Sequence, residues 1–205
     1  MKKILPAALV AALALAGVGR AHAADGNWVV KVGVHVVDPK SNNGTLANGA
    51  FKVDVGNNTQ PTITAEYLFT PNLGLEILAS TPFKHDVDLN GVKSGSFKQL
   101  PPTLSLQYHF NADGTLSPFI GAGVNYTYVY GERTTGPLAG TKLSVDNSFN
   151  VAAHAGLDFR MNSNWLFSVD ARWIKLDAKA HVNGVDVGTV KVDPLVYGVA
   201  VGYHF

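Results

Sequence analysis

The sequence predicts an all-β fold: an eight-stranded antiparallel transmembrane up-and-down β-barrel of the outer-membrane type. Three observations carry this reading. Eight segments alternate apolar with polar or small residues at strand period, the connections between them are short and long in turn, and the aromatic residues gather at the segment ends. The composition agrees. With 46% hydrophobic and only 15% charged residues the chain is not disordered, and with no cysteine it holds neither a disulfide scaffold nor a thiolate metal site. A formal charge of +1 offers no clustered basic surface for a nucleic-acid partner.

The first 23 residues are read apart from the fold. Lys2 and Lys3 precede an apolar run from Ile4 to Val18, and Ala21-His22-Ala23 supplies the small-residue pattern of a cleavage site. The run is too short for a membrane-spanning helix, which needs about 20 residues. Residues 1–23 are therefore predicted to be a secretory signal peptide, cleaved near Ala23, with 24–205 forming the barrel. The leader takes Lys2, Lys3 and Arg20 from the 16 basic residues, which leaves 13 against 15 acidic ones. The exported chain is slightly acidic.

Each strand follows from the period. In 27–38, Val30, Val32, Val34 and Val36 share one face and Lys31, Gly33 and His35 the other. The segments 59–69, 73–83 and 102–110 repeat this, with Glu66, Glu76 and His109 on their polar faces. In the second half, 118–130, 148–159, 165–176 and 194–205 place Gly121, Gly123 and Asn125, then His154 and Asp158, then Asp170 and Arg172, then Gly198, Gly202 and His204 opposite their apolar faces. The short connections are 70–72, 111–117 and 161–164, and the long ones are 39–58, 84–101, 131–147 and 177–193. Asn90-Gly91 and Asn183-Gly184, flanked by alternating residues, mark tight hairpins, so the second and fourth long loops continue as strands above the membrane. Trp28, Phe69, Phe110, Phe159, Trp165 and Phe205 form one interfacial girdle, and Phe83, Tyr128, Tyr130, Phe149, Trp173 and Tyr197 the other.

The stretches Glu76 to His85, Leu100-Pro101-Pro102-Thr103-Leu104, Pro118 to Thr127 and Asp193-Pro194-Leu195-Val196 resemble the outer membrane protein W family, over essentially the whole exported chain. The resemblance implies a barrel in the outer membrane of a Gram-negative bacterium, with a role in the passage of small hydrophobic molecules. The terminal Gly202-Tyr203-His204-Phe205 is similar to the C-terminal aromatic signal read by the outer-membrane assembly machinery. Phe205 is then the assembly residue and that machinery a partner, beside outer-membrane lipid.

Catalysis is not indicated. Ser105 and His109 share one inward face and His154 and Asp158 another, but such pairs arise on any polar-lined strand. The histidines are scattered over different strands, so no metal site is expected and no cofactor is implied. An eight-stranded lumen is only wide enough for side chains to fill. Lys31, Glu66, Glu76, His109, Asp158, Asp170, Arg172 and His204 are therefore read as a polar lumen plug. Above it, toward the long loops, the inward apolar residues Val37, Leu78, Val129, Ile174, Leu176 and Val196 form a hydrophobic funnel able to bind an apolar molecule. Pro61, Pro82, Pro101 and Pro102 fall at the outer ends of neighbouring strands, where each removes a ladder donor, and mark a lateral opening in the wall. The function these readings predict is uptake of small hydrophobic or amphipathic molecules with lateral release into the membrane. The alternative is a sealed structural or interaction barrel whose loops bind a partner.

Overall fold

The computed structural model describes residues 27–205, and the predicted leader lies outside them. Fifteen strands are present among these residues: β1 (Trp28–Asp38), β2 (Thr45–Leu46), β3 (Phe51–Val55), β4 (Asn58–Thr70), β5 (Leu73–Ser80), β6 (Phe83–Leu89), β7 (Val92–Leu100), β8 (Thr103–His109), β9 (Leu116–Thr134), β10 (Leu143–Val145), β11 (Ser148–Arg160), β12 (Trp165–Ile174), β13 (Asp177–Val182), β14 (Val185–Lys191) and β15 (Leu195–His204). Eight of them, β1, β4, β5, β8, β9, β11, β12 and β15, pair antiparallel in chain order. The sheet closes through the β1–β15 ladder, where Val30 faces Tyr203 and Val36 faces Tyr197. Closure leaves no free edge, the condition a sheet must meet in hydrocarbon.

The alternation fixes which face meets lipid. Val32, Leu106 and Ile120 are 59%, 50% and 51% exposed on the outer wall, while their neighbours in sequence point inward. The lower girdle is built from edge-on aromatic pairs, Trp28 with Tyr67, Tyr108 with Phe110, and Tyr203 with both Trp165 and Phe205. Such rings favour the membrane interface, with one side apolar and the other wet.

A second tier stands above this barrel. β9 pairs with β8 up to Asn125 and then continues against β7 as far as Thr134. The β6–β7 and β13–β14 hairpins turn at Asn90-Gly91 and Asn183-Gly184, all four residues at positive φ, as the two-residue turn requires. The first and third long loops also fold, into β2, β3 and β10, which the sequence reading did not separate from irregular loop. Segment 40–47 crosses from β3 to β14 through Lys40 N–H to the Val192 carbonyl, Lys191 N–H to that of Asn43 and Ala47 N–H to that of Val187, at 3.1, 3.0 and 2.8 Å. All four long loops thus join into one wall.

One predicted girdle residue is misplaced by the sequence reading. Phe83 is 1% exposed and belongs to the interior. The ladder between β5 and β8 ends at Leu78–Thr103, and the one between β6 and β7 resumes at Phe83–Gln99. Four residues thus face three. The extra residue reverses the phase at Thr81-Pro82, so Phe83 and His85 point inward, although unbroken alternation from β5 would point them at lipid.

Candidate functional site: an apolar vestibule over a polar plug

Taking the short turns as the periplasmic end, as in barrels of this class, the lumen divides into two layers. The lower is polar. Lys31 Nζ lies 2.9 Å from both carboxylate oxygens of Asp158 and 4.7 Å from the centre of the Phe119 ring. The Ser168 hydroxyl donates to the same carboxylate at 2.6 Å. Arg172 joins two acids, with Nη1 2.8 Å from Glu76 Oε1 and Nε 2.8 Å from Asp170 Oδ2. The other oxygen of Asp170 accepts from His35 Nε2 at 2.9 Å. Glu66 accepts from His109 Nε2 and from the Gln107 amide, each at 3.0 Å, and the Gln107 carbonyl oxygen accepts from His154 Nε2 at 2.8 Å. Seven of the eight predicted plug residues meet in this network. The eighth, His204, lies half-buried at the periplasmic end and lines a cleft of about 90 Å³ with His109, Ser117 and Asp158.

Small residues make the network possible. A Cβ on Gly74 would strike the Glu66 carboxylate, one on Gly121 the His154 ring, one on Gly198 the His35 ring and one on Gly156 the Phe119 ring. At each of these four glycines the missing side chain is the space a polar or aromatic neighbour occupies. The closure is nearly complete. The space left between Lys31, His35, Glu76, Asp170 and Arg172 is about 10 Å³, at the lower limit for one water molecule. Ser105 and His109, which share a face, make no hydrogen bond to one another, because the His109 ring turns to Glu66.

The upper layer is apolar. Val37, Val129, Ile174, Leu176 and Val196 belong to one buried cluster with Val53, Phe83 and Phe97, whereas Leu78 is buried but stands outside that cluster. Within the second tier lies a cavity of about 210 Å³. Of the six predicted funnel residues only Val129 and Leu176 line it, and most of its wall comes from the loops: Val53, Val55, Val87, Leu89, Phe97, Ala178, Ala180 and Val190 among others. These were missed because loop positions were not assigned a face. The signal was present in Val53-Asp54-Val55 and Ala178-Lys179-Ala180, which alternate like the barrel strands.

The four prolines separate. Pro82, Pro101 and Pro102 lie within the break where no ladder pair joins 79–82 to 100–102. The Pro101 carbonyl accepts from the buried Asn125 amide and from the Thr103 hydroxyl, each at 3.1 Å, and the Pro102 carbonyl accepts the Tyr126 N–H of β9 at 3.0 Å and the same Asn125 amide at 3.3 Å. Pro61 is outside the break. It pairs with Val34 of β1, and its carbonyl accepts the Thr81 N–H at 3.2 Å, so the ladder is continuous on both its sides.

Comparison with known proteins agrees with this architecture. The chain is 35% identical over 194 residues to outer membrane protein W of Vibrio cholerae, covering 88% of this chain and 89% of that protein. It is 32% identical over 120 residues to the dibenzothiophene metabolism operon protein PahQ of Pseudomonas aeruginosa, covering 57% of this chain and 56% of that one. Among solved structures it superposes on the outer membrane protein OprG of Pseudomonas aeruginosa with a TM-score of 0.79 and 32% identity, covering 88% of this chain and 96% of that one. With the OmpW family pattern matching residues 24–205, the whole of the barrel and its loops, this outer-membrane barrel belongs to the OmpW family.

Proposed function

We propose that the protein is an outer-membrane channel for uptake of small hydrophobic or amphipathic molecules. The vestibule takes the molecule from outside, and the break beside Pro82, Pro101 and Pro102 releases it sideways into the bilayer. The observation that carries this reading is an apolar chamber in the upper tier above a closed polar network in the barrel. Burying an apolar molecule in the chamber is favourable by about 0.8 kcal/mol per CH₂. Going further down would replace those contacts by ion pairs that a hydrocarbon cannot satisfy. The wall break lies beside the chamber, since Phe97 and Gln99 of its lining stand just above the break on β7. The relative named for dibenzothiophene metabolism supports an apolar cargo. Phe205, exposed and packed on Tyr203 at 4.9 Å, is the residue we assign to recognition by the assembly machinery, after signal-peptide removal near Ala23.

The test is uptake by cells with and without the protein, across a panel of hydrocarbons, polar solutes and ions. A gain confined to the hydrocarbons is expected. Filling the chamber by Ala178→Phe or Ala180→Phe, in variants that still insert and fold, should remove most of that gain. No gain for any hydrocarbon would leave the sealed barrel with partner-binding loops.

A further inference from the structure

The lining of the vestibule is aliphatic or aromatic apart from Ser94, Gln99 and one glycine. The Ser94 hydroxyl donates to the carbonyl of Val92 at 2.8 Å, within its own strand. Gln99 is different. It is 2% exposed, and one end of its amide is committed to a chain that runs away from the cavity. His85 Nδ1 lies 2.6 Å from the Gly56 carbonyl oxygen. A carbonyl only accepts, so Nδ1 carries the proton. In the neutral ring Nε2 is then an acceptor, and it receives the Gln99 Nε2–H at 3.0 Å. Burial pushes the His85 imidazole below its ordinary value, against the opposing pulls of the Gly56 carbonyl and Asp86, and so keeps the ring neutral. The rings of Phe83 and Phe97 pack on either side of it, with centroids 6.4 and 5.4 Å away.

This relay fixes the Gln99 amide. Its nitrogen faces His85, and its oxygen, which makes no hydrogen bond among the described residues, is left as an acceptor in the wall of an apolar cavity. We propose that Gln99 is the polar anchor of the vestibule, and that the preferred ligand is a small apolar molecule carrying one hydroxyl, a medium-chain alcohol or a phenol. The hydroxyl would donate to Gln99 Oε1 while the carbon skeleton fills the chamber. The size fits such a molecule: an apolar cavity of about 150 Å³ holds benzene, and this one is about 210 Å³. The inference rests on the channel reading of the vestibule and adds a chemical class to it.

The test uses the full chain in lipid nanodiscs with methyl-labelled valine and leucine. It titrates 1-heptanol and hexyl methyl ether, which match in heavy atoms but differ in the donor, and follows the methyl signals of Val129 and Leu176. The alcohol should bind about tenfold more tightly, the ordinary worth of one neutral hydrogen bond, and should alone shift the Gln99 side-chain amide resonances. In Gln99→Met the alcohol and the ether should bind alike. Equal binding by the wild-type protein, or a preference retained in Gln99→Met, would overturn the anchor and leave the channel reading intact. The wild-type titration and amide signals decide the matter even where that variant folds poorly. If neither compound perturbs the vestibule methyls, both the anchor and the channel reading fail.

Discussion

Lys31 and Asp158 show how a charged pair can be kept inside a membrane barrel. Both are buried, they meet at 2.9 Å, and the remaining capacity of the carboxylate is used by Ser168. Removing one partner leaves an uncompensated buried charge, which costs about 3–5 kcal/mol, whereas replacing both by apolar groups of similar volume is often neutral. Lys31→Met should therefore lower the unfolding free energy by about that amount, and Lys31→Met with Asp158→Leu should recover most of it. Denaturant unfolding in detergent micelles, followed by tryptophan fluorescence, measures both. A single variant that costs under about 1 kcal/mol would mean the pair is screened by water. The inward charges were legible in the sequence, because period two assigns a face without knowledge of the partner. How His35, Gln107, Phe119 and His154 join them was not, since their place in the network depends on register across strands distant in the chain.

At the scale of elements, the wall between β5/β6 and β7/β8 combines a proline effect with a phase effect. Proline at 82, 101 and 102 withholds three ladder donors, and the four-against-three mismatch separates the remaining groups. Asn125 binds the Pro101 and Pro102 carbonyls from within the lumen, the second of which also holds the Tyr126 N–H of β9. Pro82→Thr combined with Pro101→Ser restores two donors. We expect stronger amide protection across 79–82 and 100–102 by hydrogen exchange, and lower hydrocarbon uptake at unchanged folding. Protection without any fall in uptake would move the exit elsewhere. Pro61→Thr, outside the break, should change neither. The prolines could be found in the sequence but not sorted, because Pro61 differs from the others only in having both ladders intact. The hairpins at Asn90-Gly91 and Asn183-Gly184 were legible from turn chemistry alone. Asn48-Gly49 carries the same signal between β2 and β3, and there the positive φ begins one residue earlier, at Ala47.

The whole molecule is two tiers with different physics, which pH can separate. The barrel is held by a closed ladder in lipid, whereas the vestibule is held by loop strands packed on a small apolar core, with His85 buried at its centre. Because the folded vestibule holds the imidazole below its ordinary value of 6.5, the unfolded tier binds a proton more readily than the folded one. Above about 6.5 the ring is neutral in both states and its contribution is fully present. As pH falls below that value the open state gains the proton first, so stability of the upper tier is lost progressively. Protonation also puts a donor at Nε2 opposite the Gln99 amide nitrogen, which ends the relay. Amide protection factors, with the intrinsic pH dependence of exchange divided out, should therefore fall at Gly56 and along β3 and β6 between pH 7.5 and 5 while those of β1, β12 and β15 hold. His85→Gln offers both a donor and an acceptor without titrating, so it should flatten the dependence. That control also isolates His85 from His181, which pairs with Asp146 at 3.3 Å on the outside of the same tier. Uniform loss of protection in both tiers would show that they unfold as one unit. A vestibule indifferent to pH would show that the Gly56–His85–Gln99 relay does not hold the loops together.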